Sequence, residues 1–80
     1  MADEHVIHSP IPGIFYRRPS PDEDFFVQEG DAVQEGAVIG LVEVMKQFHE
    51  IVADAAGTLG TFQVENEGTV DAGQPIVSVT

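Results

Sequence analysis

The sequence predicts an all-β domain, a sandwich or barrel made of two similar halves with pseudo-two-fold symmetry. Three observations lead there. Glycines at 13, 30, 36, 40, 57, 60, 68 and 73 punctuate the chain. Between them lie short runs rich in valine and isoleucine, at 37–44, 50–53, 58–64 and 75–79. Short β-branched runs at regular turn spacing are the pattern of an all-β fold. The third observation is an internal repeat. Val33-Gln34-Glu35-Gly36-Ala37-Val38-Ile39 aligns with Val70-Asp71-Ala72-Gly73-Gln74-Pro75-Ile76 on the skeleton Val-x-x-Gly-x-x-Ile.

The repeat extends upstream. Gly30 matches Gly68 with one residue of slip, and Gly13-Ile14-Phe15 matches Gly57-Thr58-Leu59. The halves are then roughly 9–44 and 53–80. Gly13 and Gly30 are 17 residues apart, whereas Gly57 and Gly68 are 11 apart, so the first half carries an insertion of about six residues near 17–24. Residues 1–8 are expected to be a flexible N-terminus, and 9–80 to form the domain.

The segment joining the halves reads two ways. Leu41, Val44, Met45, Phe48, Ile51, Val52 and Ala55 fall at helical spacing, which predicts a helix over 42–53. No Ser, Thr, Asp or Asn precedes the segment to start a helix. A hairpin with Lys46 at its tip is the alternative, although Met45-Lys46 lacks the Asn-Gly or Asp-Gly preferred in tight turns.

Bulk properties narrow the function. The chain has 80 residues, one domain with a small core and little room for an enclosed substrate cleft. Its formal net charge is −11, and its only basic residues besides histidine are Arg17, Arg18 and Lys46. Nucleic acid and anionic membrane surfaces are therefore not expected partners; the charge suits steering toward basic protein surfaces and, equally, a merely solvated acidic face. Without cysteine there is no disulfide, thiolate nucleophile or cysteine zinc site, which fits a cytoplasmic location. Residues 1–8 lack the basic start and apolar core of a signal peptide. The apolar run 37–42 is far short of the roughly 20 residues that span a membrane.

Candidate chemistry centres on Lys46, the sole lysine. Glu23 and Asp24 have no partnering base or nucleophile beside them, and His5, His8 and His49 are scattered. No catalytic residue and no metal site are expected. Glu43-Val44-Met45-Lys46-Gln47 resembles the biotin-attachment motif of the biotin carboxyl carrier proteins, commonly Glu-Ala-Met-Lys-Met. Phe15-Tyr16-Arg17-Arg18-Pro19-Ser20-Pro21 resembles the segment of that family called the thumb, and it coincides with the insertion. Ile51-x-Ala53-Asp54-x-x-Gly57 and the Gly-x-x-Val-x-x-Gly pattern match as well, so the resemblance covers about 9–79. This chain departs from the pattern at Gln47, where an apolar residue is usual, and at Val44, where alanine is.

The resemblance implies a flattened β-barrel, a barrel-sandwich hybrid of two four-stranded antiparallel sheets, with Lys46 at an exposed hairpin tip. It implies covalent biotin on Lys46, a recognition motif of Glu43, Val44, Met45 and Gln47, and a biotin-contacting thumb of Arg17, Arg18, Pro19, Ser20 and Pro21. An ordinary lysine amine is protonated at neutral pH, so a biotin protein ligase must activate biotin with ATP and accept the proton. The implied role is a carrier without its own active site. It takes a carboxyl group from a biotin carboxylase subunit to a carboxyltransferase subunit, of acetyl-CoA carboxylase in fatty acid biosynthesis. Two readings stand beside it: a lipoyl carrier, whose motif usually has Asp where Met45 stands, and a degenerate, unmodified interaction module.

Overall fold

The computed structural model describes residues 5–80. Among these residues every regular element is a strand: β1 (His5–His8), β2 (Gly13–Tyr16), β3 (Ala32–Val33), β4 (Val38–Val44), β5 (Gln47–Val52), β6 (Gly57–Thr58), β7 (Gly68–Val70) and β8 (Pro75–Val79). One antiparallel sheet has the order β5-β4-β2-β7. The other strands pair as β1-β8 and β3-β6. These two ladders join through a bridge between Leu59 and Val79 and reciprocal Thr58–Thr80 backbone bonds of 2.7 and 2.9 Å. The second layer is therefore also four strands wide, β1-β8-β6-β3, and the expected two-sheet hybrid is present.

The pseudo-two-fold runs deeper than the sequence repeat. Strands β5, β4, β2 and β7 correspond in order to β1, β8, β6 and β3. Residues 5–16 map onto 49–60, a displacement of 44, and residues 27–42 onto 64–79, a displacement of 37. Under this mapping the pair Gly13↔Val70 becomes Gly57↔Val33, and Phe15↔Val42 becomes Leu59↔Val79. The register shift between Ile7 and His8 has its counterpart in the shift between Val38 and Gly40. The backbone bond from Ser9 N to Gln74 O matches that from Ala53 N to Ala37 O.

This mapping corrects three details of the sequence alignment. The first half begins at β1, because His5–His8 pairs with β8 just as β5 pairs with β4; residues 1–4 lie outside the described residues. The counterpart of Gly30 is Glu67 and not Gly68: each follows a turn into a positive φ, 91° and 68°, and each donates its N–H to the matching carbonyl, Leu59 O or Phe15 O. The apparent slip arose because two glycines align more readily than a glycine and a glutamate. With it removed, the insertion is seven residues, the drop in displacement from 44 to 37, and it falls between Tyr16 and Val27.

The core is built from symmetry mates: Ile7 with Ile51, Phe15 with Leu59, Val33 with Val70, Ile39 with Ile76, and Val42 with Val79, all buried. One exchange of volume breaks the match. Phe15 is larger than Leu59, and Gly40 is smaller than its mate Val77. A β-carbon on Gly40 would stand 2.5 Å from Cε1 of Phe15 and 2.8 Å from the carbonyl oxygen of Tyr16. The Phe15 ring thus occupies the space that Gly40 leaves open.

Gly40→Ala should therefore cost about 1–3 kcal/mol by overpacking. Adding Phe15→Leu should recover part of that loss, the clash with the Tyr16 carbonyl remaining. Urea unfolding of the two single variants and the double variant measures the coupling; strictly additive losses would show that ring and glycine do not share this space.

Candidate functional site

The helical spacing over 42–53 does not produce a helix. Met45 and Phe48, two members of the apparent stripe, face solvent, with 91% and 57% of their surfaces exposed. Only Ile51 of that stripe is fully buried, and it lies on a strand. The segment is the β4–β5 hairpin, with Glu43 opposite Phe48 and Val44 opposite Gln47.

Two residues make the turn, Met45 at φ 51° and Lys46 at φ 67°. A two-residue hairpin fitting the strand twist asks for positive φ at both central positions. In L-residues other than Gly, Asn and Asp that conformation costs about 1–2 kcal/mol each. The tip is held by its ladder and by the half-buried Val44, which packs against the core. Both tip side chains project into solvent together with Gln47.

Glu43 is half-buried and accepts a 3.0 Å hydrogen bond from the Tyr16 hydroxyl. The Tyr16 ring lies 6.0 Å from that of Phe48. These rings form one side of an open groove of about 270 Å³, which Arg18, Pro19, Ser20, Pro21, Asn66 and Glu67 complete. Four of the five expected thumb residues thus line the groove beside the Lys46 hairpin.

Arg17 does not line it. Its guanidinium is sandwiched at the base of the insertion, 4.3 Å from the Phe25 ring centroid and 4.0 Å from that of Phe62. Phe26 N–H donates to Arg17 O at 2.8 Å and closes the loop.

Tyr16, Phe48, Asn66 and Glu67 were missed as groove residues by sequence reasoning. Tyr16 lies inside the quoted thumb-like segment and Phe48 follows the Lys46 motif, so proximity was their only signal. Asn66 and Glu67 were hidden by the one-residue slip; pairing Gly30 with Glu67 would have marked a non-glycine in a left-handed turn. Among the described residues, no three of His, Asp and Glu group to hold a metal ion.

The Tyr16 hydroxyl is pushed above its ordinary value of 10.0, first by its bond to the Glu43 carboxylate, then by burial and by the charges of Glu43 and Glu67. Folding favours the protonated phenol, so its stabilisation is complete below pH 10 and is lost as pH rises through the raised value. Tyr16 is the sole tyrosine and there is no tryptophan, so tyrosinate absorbance reads this residue alone. Its midpoint should lie above that of the unfolded chain, and Glu43→Gln should bring it down. Coincident folded and unfolded midpoints would disprove the contact.

Comparison with known proteins fits this arrangement. The curated biotin carboxyl carrier protein of acetyl-CoA carboxylase from Pseudomonas aeruginosa is 37% identical over 75 residues, which are 94% of this chain and 48% of that protein. The chloroplastic biotin carboxyl carrier protein of acetyl-CoA carboxylase 1 from Arabidopsis thaliana is 40% identical over 74 residues, 92% of this chain and 26% of that protein. The chain spans about half the length of such relatives, or less. The urea carboxylase of Kluyveromyces lactis contains the same fold, with a TM-score of 0.81 at 21% identity, over 100% of this chain and 6% of that one. A family model described as biotin-requiring enzyme matches residues 5–79, nearly the whole sequence. This chain belongs to that family, Biotin_lipoyl.

Proposed function

We propose that this domain is a biotin carrier, with biotin held as an amide on Lys46 Nζ, serving acetyl-CoA carboxylase between its biotin carboxylase and carboxyltransferase subunits. The observation that carries this reading is the placement of the only lysine at a solvent-exposed turn beside the thumb groove. The carrier names of the relatives support the choice of biotin and of host.

The groove suits such a group. Pro19, Pro21, Tyr16 and Phe48 offer apolar walls, and Ser20, Asn66 and Arg18 offer polar atoms. Bound there, biotin supplies a ureido nitrogen able to take up and release a carboxyl group. The chain itself contributes position. The turn holds the amine clear of the sheets, where a biotin protein ligase can reach it. The ladder fixes where the tether starts, and tethering raises the effective concentration at both partner sites. Met45 and Gln47 flank the amine in the open, placed for contact with the ligase; Glu43 and Val44 are turned partly inward and act by shaping the turn. The charge of −11 favours encounter with basic partner surfaces, and the setting is cytoplasmic.

Incubation of the apo-domain with biotin protein ligase, ATP and biotin should add one biotinyl group per chain by intact mass. Lys46→Arg should keep the unfolding midpoint and take no label. A lipoyl adduct from a lipoate ligase, with no biotin adduct, would replace this reading with the lipoyl one.

Met45→Asn should separate fold from recognition at the tip. Asparagine tolerates positive φ, so stability should rise by up to about 1 kcal/mol. Loss of the exposed thioether should lower kcat/KM for biotinylation by about 5–10-fold, the equivalent of 1–1.4 kcal/mol of contact. Unchanged kinetics would mean that the ligase does not read this side chain.

A further inference from the structure

The seven-residue insertion has no counterpart in the second half, so the symmetry that orders the rest of the chain does not order it. Its outer part is polar and exposed at Asp22, Glu23 and Asp24, and its own backbone bonds are few: Glu23 N to Ser20 O at 3.1 Å and Phe26 N to Arg17 O at 2.8 Å. What fixes its direction is concentrated on one residue. The Arg17 guanidinium lies between two rings, Phe25 on the insertion and Phe62 on the opposite half. Phe62 in turn packs on the core ring of Phe15, centroids 6.0 Å apart. Arg17 N–H donates to Asn66 Oδ1 at 2.8 Å, and its Nη2 donates to Val27 O at 3.4 Å. Its Nε is buried with no hydrogen-bond partner. A guanidinium tolerates such burial because its faces are weakly hydrated and stack on aromatic rings; an ammonium has no such face.

We propose that Arg17 is the positioning residue of the thumb, an aromatic–guanidinium–aromatic clamp that holds residues 18–24 against the Tyr16–Phe48 side of the groove. This rests on the carrier reading only for what the groove receives; the clamp itself is a property of the unmodified chain. Arg17 touches neither the amine nor the groove. Its effect passes through Phe25 and Arg18, whose guanidinium lies 5.5 Å from the same Phe25 ring.

Arg17→Lys keeps the charge and loses the flat stacking surface, while Phe25→Leu removes one ring without touching the core. In apo-protein, both should speed amide exchange at Glu23 and Phe26 by roughly tenfold, the scale of losing a partly desolvated cation–π contact. Exchange at Ala53 and Thr58, bonded within the sheets, should change by less than about threefold on the same reasoning. Biotinylation of Lys46 in Arg17→Lys should keep its wild-type kcat/KM, while the shifts that biotinylation causes at the Ser20 and Phe48 amides should shrink. Unchanged thumb exchange in both variants would overturn the clamp. So would equal acceleration of thumb and sheet amides, which would make Arg17 merely structural. Failure of the wild-type domain to accept biotin would sink the carrier reading and leave the apo exchange result to decide the clamp.

Discussion

Each half of this chain lacks the partners needed to finish a sheet, and the structure follows from how the halves complete one another. The first half supplies β4 and β2, but their outer neighbours, β5 and β7, come from the second. The second supplies β8 and β6, flanked by β1 and β3 from the first. A strand with an open edge and one wet face is marginal in water. Interleaving gives every central strand two neighbours and closes the core residues of both halves against each other. Register is then set twice over, because a slip by one residue in either sheet would turn its buried valines and isoleucines outward. The matching bulges in β1–β8 and β4–β5 show that even the irregularities belong to the shared pattern.

The proposed site sits where that pattern is broken. The Phe15–Gly40 exchange, the insertion after Tyr16, the Asn66-Glu67 turn and the Met45-Lys46 tip are the main places where the halves differ. Two of them, the insertion and the Asn66-Glu67 turn, line one groove, and Phe48 of the hairpin that bears the tip lines it too. Repetition supplies the rigid frame, and the departures supply a groove and an exposed turn that a symmetric barrel would have to carry in duplicate. The left-handed Met45, Lys46 and Glu67 are the three described non-glycine residues with positive φ, and all belong to this region. Strain concentrated at a site and held by a well-paired frame is the usual arrangement for a functional turn.

Much of this was legible in the sequence, for identifiable reasons. Strand content and the two-half plan follow from glycine spacing and the Val-x-x-Gly-x-x-Ile repeat, both direct consequences of backbone geometry. The hairpin that bears Lys46 was indicated by the motif resemblance and not by periodicity. The helix-like stripe over 42–53 misled because periodicity records which residues are apolar and not whether they are buried; Met45 and Phe48 are apolar and exposed. β1 escaped notice because His5-Val6-Ile7-His8 resembles His49-Glu50-Ile51-Val52 only at His5 and Ile7, and the likeness appears once register is known. Arg17 was grouped with the groove residues because it is contiguous with them in sequence; the two rings that claim it lie eight residues downstream and in the other half.

The pseudo-two-fold carries the Met45-Lys46 corner onto the corner between β8 and β1, where His5 stands opposite Val79. The eight described strands have two equivalent corners, one spanned by a two-residue turn between β4 and β5 and the other between β8 and β1. A circularly permuted chain, sealed between its present ends and opened after Val44, would therefore keep every ladder of the barrel. It would carry the Lys46 amine on a free end instead of a turn, and so would retain the architecture while giving up the fixed position of that amine.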